Sequence, residues 1–353
     1  MRFHLQITPF CDSICMNTQG ETASPFLKER APQLSILKEI SAVASIALPI
    51  GESWSVNRCR YRSDDGAQKR LCLATGIHGD EMMGQFVLYA VAQRIMAEPQ
   101  HLHGIVDLYP MLNPQGLDIG ERNIPSATLL DMNRAFPGTE NGTALENMCY
   151  NIVKDMSGAD LVIDIHSGRL QKGELHQVRL HEKTLDTMKQ DALDLCPKLV
   201  WLIQNKPAFN ATLTGALNAI GTPALVLEAD ERRRRPYVTT PPVIEGIFCK
   251  MKAMGMWTGE TKPPYANEEV PFVHDDVNLC RVFSKFPGIY VPEHCLGLEV
   301  AKGEKLGIII DALLGETLEE VVAPFDALVF TQRCYSVVYP GTELARLCRK
   351  ETV

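Results

Sequence analysis

The chain has 353 residues, of which 45% are hydrophobic and 22% charged, a balance that provides a sizeable core and excludes wholesale disorder or a fibrous repeat. A formal charge of −8 and a pI near 5.7 argue against nucleic acid or an anionic membrane surface as partner, because both call for a positive footprint. Eleven cysteines, odd in number and without repeated spacing, read mostly as buried small hydrophobes in a reducing, cytoplasmic setting rather than as a disulfide framework.

In chain order, the opening MRFHLQITPFCDSICMNTQ has no continuous apolar stretch and no small-residue cleavage pattern, so no signal peptide is read there. Nor does any apolar run reach the length of a membrane span. A helix is expected over SPFLKERAPQLSILKEISAVA, residues 24–44, as cover for the core. WSVNRCRYR, the turn-rich SDDGAQK and RLCLATGI then read as a hairpin that ends in GIHGDE. EMMGQFVLYAVAQRIMAE places apolar residues at helical spacing. IVDLY and LVIDIHSG read as strands, LENMCYNIVKDMS as a helix, and TPALVLEAD as a further strand. Short apolar strands alternating with helices predict an α/β fold with a mainly parallel or mixed sheet covered on both faces.

A Pro- and Gly-rich shift at GETKPPYANEEVPF sets the expected boundary between a domain over residues 1–264 and a second over 265–353. Beyond it the chain alternates short strands and Gly-bearing turns, which predicts a small all-β barrel or sandwich. The run Arg232 to Arg235 has two readings: a solvated loop or helix face beside Glu231, and an anion-attracting rim near Glu228.

In a parallel sheet, ligands bind at the carboxyl ends of strands, and His78, Asn113, His166 and Glu228 all fall at strand ends. A catalytic zinc takes three ligands from His, Asp, Glu or Cys and leaves one position open. His78 and Glu81, three apart where a strand gives way to a helix, can converge on one point. That spacing alone is weak evidence. His166, at the end of LVIDIHSG, should emerge on the same edge and complete the set. Asp131 and Asp164 can receive the second imidazole N–H that a metal-bound histidine usually donates, or can simply cap a turn.

The segments GIHGDE, NPQGLDIGERN, LDMNRAFPG, DLVIDIHSG and LVLEADE occur in this order, and the order resembles the succinylglutamate desuccinylase/aspartoacylase family of the zinc carboxypeptidase superfamily. The C-terminal strands look like the barrel-sandwich appendage of bacterial members. The resemblance implies one zinc per chain held by His78, Glu81 and His166, with Glu228 as general base and acid. It further implies that Arg122 stabilises the oxyanion, that Asn133 and Arg134 clamp a substrate carboxylate, and that Asp131 partners His78. The implied activity is hydrolysis of an N-acyl amino acid or similar small amide, with a metallocarboxypeptidase as the alternative; a homo-oligomer is compatible with it. The C-terminal segment also looks like a biotinyl or lipoyl carrier. GEKLGIIIDALLGETLEEVVAPFDALV has no lysine at the expected hairpin tip, so the segment is read as a lid or oligomerisation element.

Overall fold

Three apolar strands set the frame: β3 (Arg70–Thr75), β5 (Leu161–Ser167) and β9 (Ala224–Ala229). They lie side by side and parallel, with Thr75 opposite Ile165 and His166 opposite Glu228. Every residue of β5 is buried, as expected of a strand with both faces covered. The computed structural model describes residues 36–48, 51–125, 130–168, 172–204, 207–229, 240–275, 277–293 and 295–349.

Around these three, the sheet grows to nine strands in the order β1-β2-β4-β3-β5-β9-β7-β8-β10. The additional members are β1 (Ile36–Ala47), β2 (Ser53–Ser63), β4 (Ile105–Tyr109), β7 (Gln177–His181), β8 (Leu199–Ile203) and β10 (Phe272–His274). The sheet is mixed: β1–β2, β2–β4 and β7–β9 pair antiparallel, the rest parallel. Its helices are α1 (Met83–Ala97), α2 (Pro114–Ile119), α3 (Ala144–Met156), α4 (Leu185–Asp194), α5 (Pro207–Asn210), α6 (Leu213–Ala219) and α7 (Pro241–Ala253). Two hydrophobic clusters form against the sheet, one including Val87, Val91, Ile163 and Phe248, the other Tyr109, Cys149, Ile152 and Leu217. α1 buries Met83, Val87, Leu88, Val91 and Ile95, the apolar stripe its spacing predicts. A capping box at Thr143 and Glu146 starts α3.

Two expectations fail. ILKEISAVASIA is strand β1 and not part of a helix, because it pairs along its full length with β2, from Ile36 opposite Ser63 to Ala47 opposite Ser53. Residues 24–35 of that expected helix lie outside the described residues. The second failure is the hairpin of β2 with β3: β4 lies between them, antiparallel to β2 and parallel to β3.

The chain beyond β10 is all strand and turn: β11 (Leu279–Phe283), β12 (Gly288–Pro292), β13 (Glu299–Val300), β14 (Lys305–Asp311), β15 (Glu316–Val322), β16 (Ala327–Arg333), β17 (Val337–Val338) and β18 (Glu343–Arg349). They make one sheet in the order β11-β18-β16-β13 and another in the order β15-β14-β12-β17. Tyr290, Leu306, Ile309, Val329 and Leu347 form their shared core. A short strand from the first half, β6 (Lys172–Glu174), crosses over to pair antiparallel with β16, placing Glu174 opposite Thr331. All described residues belong to one unit spanning Leu34–Val353. Among them, no helix is long and apolar enough to cross a membrane.

Candidate metal centre and active site

β3 delivers His78 through a tight exit. Gly76 turns the chain at a φ of +74°, a conformation that glycine adopts without steric cost. Gly79 passes so close to Gly116 that a Cβ there would stand 2.0 Å from the Gly116 carbonyl carbon. The loop is thus pressed onto α2, and His78 and Glu81 are both buried. His166, also buried, stands near the end of the neighbouring strand β5.

One donor atom from each of His78, Glu81 and His166 lies within 4.8 Å of the others. Both Nδ1 atoms face the Glu81 carboxylate: His166 Nδ1 is 2.8 Å from Oε2 and His78 Nδ1 is 2.9 Å from Oε1. The His78 contact has the distance but not the alignment of a hydrogen bond, so this buried nitrogen has no hydrogen-bond partner. On their far sides both rings meet carboxylates, His78 Nε2 at 3.2 Å from Asp131 and His166 Nε2 at 2.9 Å from Asp164. A neutral imidazole carries one N–H. Donated from Nε2 to the aspartate, it leaves the Nδ1 lone pair free to bind a cation, and the two lone pairs and the Glu81 carboxylate share one neighbourhood.

The charges agree. Glu81, Asp131 and Asp164 bring three negative charges, and Arg122, 2.9 Å from Glu81 and 3.3 Å from Asp131, returns one positive. With neutral imidazoles the cluster is two charges short of balance, which a divalent cation supplies. The same tension shows in the acidities. Burial pushes the Glu81 carboxyl up, but the two histidines outweigh it and hold it well below the usual range. Burial lowers His166, yet Asp164 and Glu81 raise it well above an ordinary histidine. The residues fit a metal ion of the type that two imidazoles and a carboxylate select.

The centre opens into a cavity of about 840 Å³ lined by His78, Glu81, Arg122, Asn133, Arg134, His166 and Glu228 among others. Of the nine residues given a metal-binding, catalytic, substrate-binding or supporting role, seven therefore line this cavity, and the other two, Asp131 and Asp164, contact the far sides of the histidines. Asp131 also caps the short turn that carries Asn133 and Arg134, accepting from Asn133 N at 2.9 Å. Asn133 Oδ1 in turn receives the Leu213 N–H at 3.0 Å, which fixes the pair against α6. Asn113 does not line this cavity; it caps α2 by accepting from Gly116 N. Arg232 to Arg235 lie outside the described residues.

Glu228 is fully enclosed. Burial raises its carboxyl to about 7, against the pull of Arg179, whose Nη1 is 2.7 Å from Oε1. Arg179 was not apparent in the sequence, and neither were Glu174, which it also binds, nor Arg346, which reaches the cavity from β18. The available signal for Arg179 was a lone arginine inside the apolar stretch VRL of β7. For Arg346 there was none, because it reaches the cavity through contacts between remote segments, among them the pairing of β6 with β16 and the packing of Trp201 against Phe330.

Residues 67–235 match the catalytic domain of the succinylglutamate desuccinylase/aspartoacylase family. No curated protein matches the chain by sequence. Among similar solved structures is the product-bound ectoine utilization protein EutE (DoeB) from Ruegeria pomeroyi, 20% identical, covering 91% of this chain and all of its own, with a TM-score of 0.73. A succinylglutamate desuccinylase/aspartoacylase from Rhodobacter sphaeroides is 18% identical, with coverages of 90% and 100% and a TM-score of 0.72. An aspartoacylase family protein from Mesorhizobium loti is 19% identical, with coverages of 92% and 96% and a TM-score of 0.69. At these identities the likeness is one of fold, spanning 90% to 92% of the chain. Over residues 67–235 the chain thus resembles the catalytic domain of the succinylglutamate desuccinylase/aspartoacylase family.

Proposed function

We propose that the protein is a zinc-dependent deacylase that hydrolyses the amide bond of an N-acyl amino acid or similar small amide. The observation that carries this reading is the buried His78–Glu81–His166 cluster, with Glu228 lining the same cavity. The two Nδ1 atoms and the Glu81 carboxylate would hold zinc, which when bound supplies Lewis acidity and a water acidified toward neutrality. Glu228 takes the proton of the attacking water and passes it to the departing amine nitrogen. A carboxyl raised to about 7 suits a group that must both accept and return a proton near neutral pH. Arg122, on the cavity wall beside Glu81, donates to the oxygen that gains charge in the transition state. Arg134 and Asn133 present a planar fork and an amide to a substrate carboxylate.

The same groups would serve the alternative, a metallocarboxypeptidase. The size and walls of the cavity favour the small amide. About 840 Å³ is the volume of a small-molecule site, and Arg346 of the C-terminal sheet forms part of its wall. The charge balance and cysteine usage support a cytoplasmic setting.

The test is hydrolysis of a panel of N-acyl amino acids, varying acyl chain and amine separately, with C-terminal peptides as control, before and after chelation. Small amides should be cleaved, peptides spared, and activity lost on chelation and restored by Zn²⁺. Glu228→Gln should keep its zinc and lose about 10²- to 10⁴-fold in kcat. Full activity in a metal-free preparation would remove the reading.

A further inference from the structure

Arg346 ends a chain of ion pairs that runs from the C-terminal sheet to Glu228. Its Nη1 lies 3.8 Å from Glu174 Oε1, Glu174 Oε2 binds Arg179 Nη2, and Arg179 Nη1 is 2.7 Å from Glu228 Oε1. The intermediate groups have little freedom. Gln177 Nε2 donates to Glu174 Oε2 at 3.0 Å, and β6 is tied to β16 by strand pairing. The guanidinium groups of Arg179 and Arg346 both lie over the Trp201 ring, 4.9 and 5.0 Å from its centroid. Glu343 anchors Arg346 at 2.9 Å and also binds Lys172 at 2.5 Å.

We propose that Arg346 is a positioning residue for Glu228, acting through Glu174 and Arg179. Arg179 is shared by two carboxylates, Glu228 and Glu174. By engaging Glu174 from the other side, Arg346 leaves Arg179 to hold Glu228. Without Arg346, Arg179 must compensate both Glu174 and Glu228 in surroundings where water screens poorly. Glu174 then draws Arg179 to itself, and Glu228 loses the contact that aims it. In this account the C-terminal sheet is a working part of the catalytic apparatus rather than only a cover. The proposal rests on the reading of Glu228 as general base.

Arg346→Met keeps the aliphatic stem over Trp201 and removes the charge. It should lower kcat on the order of tenfold, as for a loosened supporting group, with KM and zinc content unchanged. Adding Glu174→Gln removes the competing charge and should restore most of the lost kcat. In an Arg179→Met background, Arg346→Met should have no further effect. Arg346→Lys should fall between Met and the unaltered protein, and combined with Glu174→Gln it provides the same test should Arg346→Met fail to fold. A raised KM at unchanged kcat would mean that Arg346 binds substrate directly, and no rescue by Glu174→Gln would mean that charge competition is absent; either overturns the proposal. Glu228→Gln, measured in parallel, separates the two levels. Full turnover there removes the general base itself, whereas an inactive Glu228→Gln beside a fully active Arg346→Met removes only the positioning role.

Discussion

Two buried charge clusters sit on the same sheet. One gathers around Asp107 of β4, fully buried, near the amino end of the parallel strands, where Arg70 opens β3. Arg60 grips its carboxylate with Nε and Nη2, each at 2.7 Å, and Arg70 Nε adds a third contact at 2.7 Å. Tyr109 and Arg58 complete the group through Asp155, at 2.6 and 2.8 Å. The other cluster, at the carboxyl ends, sets Glu81 against His78 and His166. Both bury carboxylates among nitrogens. The difference lies in the donors: guanidinium nitrogens are always protonated and satisfy Asp107 outright, whereas each imidazole, when neutral with its N–H on Asp131 or Asp164, has a lone pair to turn inward. Buried charge alone is therefore a mark of structure, and unprotonated donors converging on one point are the mark of a site.

That contrast can be broken first at His166. His166→Ala should lose bound zinc and turnover together, as measured by metal analysis and by hydrolysis of an N-acyl amino acid, while the protein still folds; retained zinc would mean that the cluster is another Asp107. The converse substitution, Asp107→Asn, should cost about 3–5 kcal/mol of stability in a denaturant titration, since it leaves buried guanidinium groups without their carboxylate. The part that still folds should bind zinc normally.

How far the two clusters could be told apart from sequence is instructive. β3, β5 and β9 declare themselves as continuous apolar runs, and α1 and α3 by their periodicity, so the strand ends that carry His78, His166 and Glu228 were legible. β1 was not, because the spacing of its apolar residues suits a helix until β2 is present to pair with it. The partners of Glu228 were hidden for a different reason: Glu174, Arg179 and Arg346 meet only through strand pairing between remote segments, and each taken alone is an ordinary surface charge. Asp107 and Asp164 are each a lone aspartate in an apolar strand, and the one sequence signal that separates them is His166, two residues beyond Asp164.

A smaller effect sharpens the comparison at Asp164 itself. Asp164→Asn leaves a group that can still accept the His166 N–H but lacks the charge, and should weaken zinc affinity about 10- to 100-fold, read by competition with a chelator. The smallest effect is in stability. The metal-free protein holds Glu228 at about 7, above its ordinary 4.5. A raised carboxyl stabilises the fold below its ordinary pKa, and that stability is lost as pH rises through the raised value. Unfolding free energies of the metal-free protein should therefore decline between about pH 4.5 and 7, and Glu228→Gln should flatten the decline; an unchanged slope would show that Arg179 already keeps the group ionised.

The crossing of β6 onto β16 bears on the order in which the protein is made. Synthesis proceeds from the amino end, and a domain folds as a unit. His78, Glu81 and His166 all precede β6, so the proposed metal ligands are synthesised while β16 and β18 are still unmade. Glu174 waits without its strand partner until they arrive. Under the proposed function, the residues that would hold zinc are thus all made before the strands that brace Glu228.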